Sequence, residues 1–106
     1  MDMEELESIC MDMIAYAGEG QSLIYEAASL FYKKDTYGCI KKIKEAEINL
    51  NRAHEIQFIK LMGPQAEGKE VPFHLLLIHA MDLLANASGQ CDMLKHLCSG
   101  EMNSAK

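Results

Sequence analysis

The chain has 106 residues, 49% of them hydrophobic and 25% charged, with 10 Lys and Arg against 16 Asp and Glu and a formal net charge of −6. That length fits one domain spanning 1–106 and excludes a second independent core, while the composition excludes a disordered or fibrous chain. The acidic balance supplies no broad basic face for a phosphate backbone, so nucleic acid is not an expected partner.

Three helical segments are predicted, at about Met3 to Lys33, Thr36 to Leu61 and Pro72 to Leu97. In the first, Leu6, Ile9, Met13, Ala17, Ile24, Ala27 and Phe31 recur mostly at three- and four-residue steps, the mark of an amphipathic helix. A soft break follows at Lys34-Asp35-Thr36, where Asp35 or Thr36 can cap the next helix. The second segment repeats the pattern with Ile40, Ile43, Ala46, Leu50, Ala53, Gln57 and Leu61. Both prolines then fall together: Gly63-Pro64 opens a polar stretch that ends at Val71-Pro72, the clearest break in the chain. No run alternates as a half-buried strand does, so no sheet is expected. The fold class is all-α, an antiparallel up-down-up bundle of three helices joined by short connections. Such a layer is thin, and apolar residues on more than one face suggest that it associates with copies of itself. The tail from Ser99 to Lys106 is small and polar and is expected to fray.

The longest apolar stretch, Val71 to Met81, is interrupted by His74 and His79 and is far too short to span a bilayer. No basic leader precedes an apolar core at the N-terminus, so a cytoplasmic protein is expected. Cys10, Cys39, Cys91 and Cys98 contain no C-x-x-C, and Cys91 and Cys98, roughly 10 Å apart along a helix, cannot bridge each other. All four read as reduced, small apolar fillers.

The last helix carries the chemistry. Leu75 to Ile78, Leu83, Leu84, Met93, Leu94 and Leu97 make it apolar nearly all round, so it should be central. Yet His79, Asp82, Asn86 and Gln90 step by three, four and four along one side. Such a ridge is either a solvated stripe or a working one: a metal site, a phosphoryl acceptor or a proton relay. His74 reads as an exposed first-turn residue, His96 as a residue near the helix C-terminus favoured by the dipole, and His54 as structural.

Several separated motifs point one way. Ile14-Ala15-Tyr16-Ala17-Gly18-Glu19-Gly20-Gln21-Ser22, Glu45-Ala46, Ala53-His54 with Gln57, Glu67-Gly68-Lys69-Glu70-Val71-Pro72 and His79-Ala80-Met81-Asp82 stand in the order and spacing of one family. The sequence resembles the IIA component of the lactose/cellobiose class in the phosphoenolpyruvate-dependent sugar phosphotransferase system. The resemblance implies a three-helix bundle assembled as a homotrimer. It implies that His79 takes a phosphoryl group from the histidine-containing phosphocarrier protein and passes it to a cysteine of the IIB component. It also implies that Asp82 points to the trimer axis, where three copies bind a divalent cation, usually taken as magnesium. Three carboxylates converging in a dry interface could not all stay ionised without such a cation or protons. The resemblance further implies that the membrane component is a partner only indirectly and that the sugar is lactose, cellobiose, chitobiose or a related β-glucoside, which of them the sequence does not say.

Three positions depart from the family pattern. Met81 replaces a glutamine and Leu83 a histidine, and Ala85 stands near a usual methionine. Leu83 is one turn from His79, so the missing imidazole bears on the transfer rate; Met81, about 200° round the helix, acts through packing or another subunit. The alternative function is a degenerate or regulatory homologue that trimerises without efficient transfer. Gly18-Glu19-Gly20 is no phosphate loop, because it lacks G-K-[ST] and sits inside a helix; Gly18 is expected at a close helix or subunit contact.

Overall fold

In the computed structural model, residues 1–104 are described, and side chains to Gly100. Helix α1 spans Met3–Tyr32. The Asp2 carboxylate caps it, accepting from the Glu5 N–H at 2.8 Å, and Glu4 and Glu5 place negative charge at the positive end of the dipole. It closes with the Asp35 N–H donating to the Leu30 carbonyl at 2.9 Å and with Lys34 at φ 65, a left-handed position filled here by a residue other than glycine. Asp35 then caps α2, Thr36–Gln57, by accepting from the Gly38 N–H at 2.9 Å.

The second segment does not stop at Gly63-Pro64. α2 passes into a π-helical turn, Phe58–Met62, and a last α-helical turn, α3, Gly63–Ala66. Pro64 explains the widening: in a regular helix its ring would meet the carbonyl four residues back, and the π register opens that turn. The Gly63 N–H donates to the Phe58 carbonyl across it. A Cβ on Gly63 would sit 3.2 Å from that same oxygen, so the close approach suits glycine.

The final helix, α4, spans Leu75–Ser104, not Pro72 to Leu97. It starts later because His74 caps it: the His74 carbonyl accepts from the Leu77 N–H at 3.0 Å, and its ring Nδ1 accepts from the Leu76 N–H at 3.0 Å. It ends later because the helical ladder continues through Ser99 and Gly100 to Ser104, which corrects the expectation of a frayed tail. Only the last two positions of that tail, 105–106, lie outside the described residues.

The three long helices form a rod of 53 × 21 × 17 Å. Its core is a regular seam. Leu6, Cys10, Met13 and Ala17 on α1, Cys39, Ile43, Ala46, Leu50 and Ala53 on α2, and Ala80, Leu84, Ala87, Cys91, Leu94 and Cys98 on α4 are all buried at alternating steps of four and three. That is the spacing of helices packed side by side with a slight left-handed wrap. Compared with the predicted stripes, Cys10 and Cys39 take the buried places and Ile9 and Ile40 the half-buried ones beside them. Many seam residues are alanine or cysteine, which lets the helices approach closely. Gly20 shows how closely: a Cβ there would lie 2.8 Å from Leu50 Cδ2. Gly18 makes no such contact within the chain, since a Cβ there would meet nothing within 4 Å.

Candidate functional site

α4 presents two faces. One packs on α1 and α2 through the seam from Ala80 to Cys98. The other carries His79, Asp82, Asn86 and Gln90, all exposed, so the predicted ridge exists as a continuous stripe. At 100° per residue, His79 and Asp82 stand about 60° apart around the axis and one turn apart along it. Within a single chain the ridge is solvated, and neither group bears a burial cost. Gln90 meets α1, its Oε1 accepting from Gln21 Nε2 at 3.4 Å.

The expectation that this helix is central is corrected within the chain. Beside the ridge, Leu75 is 72% exposed, Met93 65% and Leu97 50%. A bundle of three helices covers only the inward side of each, so an all-round apolar helix is left half uncovered. Met93 and Leu97 join Ile24, Tyr25 and Ala28 of α1 in an open, largely apolar groove of about 470 Å³.

Among the described residues, no group of three or more His, Cys, Asp or Glu side chains is placed to hold a metal ion. Asp82 belongs to no such group within its own chain.

The other histidines divide by structure. His54 Nε2 lies 2.9 Å from Ser88 Oγ and links α2 to α4. His74 is no exposed first-turn residue. It caps α4, and its Nε2 lies 3.2 Å from Glu7 Oε1. With Nδ1 accepting from the backbone, Nε2 carries the proton and donates to Glu7. His96 is not at a helix end, because α4 runs on past it; its Nδ1–H donates to the Asp92 carbonyl at 2.9 Å. The Glu7 and Ser88 partnerships escape sequence reasoning, since each joins residues more than thirty positions apart.

Leu83 is half-buried and packs against the core beside the ridge. Met81 faces elsewhere, into a mostly apolar hollow of about 350 Å³ shared with Gln57, Leu61, Val71 and Leu77. Among the described residues no helix is long and apolar enough to cross a membrane.

Comparison with known proteins places the chain in a family. Residues 8–100 match the family described as PTS system, Lactose/Cellobiose specific IIA subunit. The lichenan-specific phosphotransferase enzyme IIA component of Bacillus subtilis (strain 168) is 34% identical over 90 residues, which cover 85% of this chain and 81% of that one. The N,N'-diacetylchitobiose-specific EIIA component of Escherichia coli (strain K12) is 32% identical over 83 residues, covering 78% and 71%. The crystal structure of PtcA from S. mutans superposes with a TM-score of 0.90 at 25% identity, covering 93% of this chain and 96% of that one.

Proposed function

The chain belongs to the lactose/cellobiose-specific IIA subunit family of the sugar phosphotransferase system, and we propose that His79 is the residue through which it carries a phosphoryl group. The observation that bears most weight is the exposure of His79 on the outward face of a thirty-residue helix. An acceptor that must meet two different proteins in turn needs an accessible ring on a fixed frame.

In this reading an imidazole nitrogen of His79 attacks the phosphorus of the phosphohistidine on the histidine-containing phosphocarrier protein, and the donor's imidazole leaves. A cysteine thiolate of the IIB component then attacks the same phosphorus and releases His79 unmodified. There is little covalent chemistry for the rest of the chain to perform, so its contribution is positioning. The sugar is a β-linked disaccharide or related β-glucoside. The relatives are named for different ones, lichenan and diacetylchitobiose, at similar identity.

The working unit we propose is a homotrimer. The uncovered apolar side of α4 and the groove it makes with α1 support that assembly, because a second copy could cover both. Asp82 from each copy would face the threefold axis and hold a divalent cation with its hard carboxylate oxygens, magnesium by the family resemblance. Such a cation supplies neutralisation of converging carboxylates.

Incubation with phosphoenolpyruvate and the general phosphotransfer proteins, followed by intact mass, tests the assignment. The wild type should gain one phosphoryl mass. His79→Ala should gain none while keeping its helical circular dichroism. A phosphorylated His79→Ala protein would mean that another histidine carries the group, and the assignment would fall.

A further inference from the structure

The thiols of Cys39 and Cys98 touch. Their sulfurs lie 2.7 Å apart although the residues are 59 positions apart in sequence, and both side chains are fully buried, at 0% and 1% exposure. Cys39 sits in the first turn of α2 and Cys98 toward the end of α4, so the contact closes the end of the bundle away from His79. The separation along α4 from His79 to Cys98 is about 28 Å. It is the one thiol–thiol contact among the described residues; Cys10 and Cys91 are also buried and serve as internal references.

We propose that Cys39 and Cys98 form an intrachain disulfide when the protein meets hydrogen peroxide, locking the start of α2 to the end of α4. One thiolate attacks a peroxide oxygen and breaks the O–O bond, giving a sulfenic acid and, after protonation, water. The second thiol's sulfur then displaces the sulfenic oxygen, which leaves with protons as a second water. Two thiols and one peroxide become one disulfide and two waters; each sulfur loses one electron and the two peroxide oxygens gain them.

Two features set how the reaction runs. Burial, with the neighbouring Cys98 thiol and the Asp35 carboxylate, pushes the Cys39 thiol up to about 12, so little thiolate exists while the end of the bundle stays shut. Oxidation therefore waits on local opening of the last turns of α4, a smaller event than global unfolding. Once the first sulfur is oxidised, the resolving thiol is already in contact, which favours the disulfide over further oxidation or a link between chains.

The experiment treats the full chain with millimolar hydrogen peroxide at neutral pH. Remaining thiols are then alkylated, and intact mass and non-reducing peptide maps are taken. The expected product is about 2 Da lighter before alkylation and retains only two alkylatable thiols. Its linked peptide joins Cys39 to Cys98, and dithiothreitol restores all four thiols. The cross-linked form should melt at least about 5 °C higher, because it closes a long loop in the unfolded chain. Cys98→Ala and, separately, Cys39→Ala should keep their remaining thiols under the same treatment. The wild-type map decides alone if either variant fails to fold. Four free thiols after treatment, a sulfinic acid on either residue, or a linkage through Cys10 or Cys91 overturns the proposal.

Discussion

Asp82 follows His79 by one turn on the outward face of α4, and both are turned away from Ala80 and Leu84, which are buried in the seam. The proposed acceptor and the proposed axis residue therefore share one helix. Asp82→Leu should keep or strengthen the trimer, because an apolar residue avoids bringing three charges together. Chelators should loosen the wild-type trimer and leave this variant alone. Sedimentation or light scattering checks both, and a wild type that is monomeric at micromolar concentration removes the basis for the prediction.

Leu83, which by the family resemblance stands in the place of an imidazole, rests half on the core. Leucine cannot hydrogen-bond a phosphoryl oxygen or steady the acceptor ring. Losing one such contact near developing charge costs about 1 to 3 kcal/mol, roughly a five- to 150-fold rate effect. Leu83→His should therefore speed single-turnover phosphorylation of His79, at some cost in stability from the lost packing. An unchanged or slower rate with the assembly intact would show that transfer gains nothing from an imidazole at this position.

His74 joins the start of α4 to α1 through Leu76 and Glu7. His74→Ala removes the cap and the bridge together and should lower unfolding free energy by about 1 kcal/mol, read from urea denaturation. His74→Asn, which can still cap, should recover a good part of that loss.

Burial holds the protons of Cys10, Cys39 and Cys91 more tightly than in the unfolded chain, Cys39 up to about 12 from 9.0. Above about pH 9 the unfolded chain then binds fewer protons than the folded one, so stability falls as pH rises. Unfolding free energy should be flat with respect to these groups below about pH 8 and decline from about pH 9 toward 12. Cys39→Ala should show a shallower alkaline decline in denaturant titrations at matched pH. An equal slope in the two proteins would contradict the burial of that thiol.

Much of the fold is legible in the sequence because it rests on local rules. Asp35 caps α2 as its position before an apolar stripe suggests, and the seams of α1 and α2 fall within a residue of the periodic positions. The end of α2 is not legible. Gly63-Pro64 is a helix-breaking pair by local rules, yet the chain widens one turn and continues to Ala66. The onset of α4 escapes for a related reason: histidine is an uncommon cap, and its second partner, Glu7, lies at the far end of the sequence. At the site, spacing places His79 and Asp82 on one stripe. It cannot tell a buried stripe from a solvated one, because that depends on what covers the helix.

The π-helical turn at Phe58–Met62 has a consequence for reading relatives of this chain. A regular alternation of four and three beyond Ala53 would bring Gln57 and then Lys60 inward; instead Leu61 is buried and Lys60 is exposed. The widened turn thus behaves as a one-residue insertion absorbed without a loop. A homologue with one residue fewer between the positions of Gln57 and Pro64, and no proline at the latter, can keep the same hollow beside Met81 on an ordinary α-helix. Its alignment gap would then mark a change of helical phase and leave the length of the connecting loop untouched.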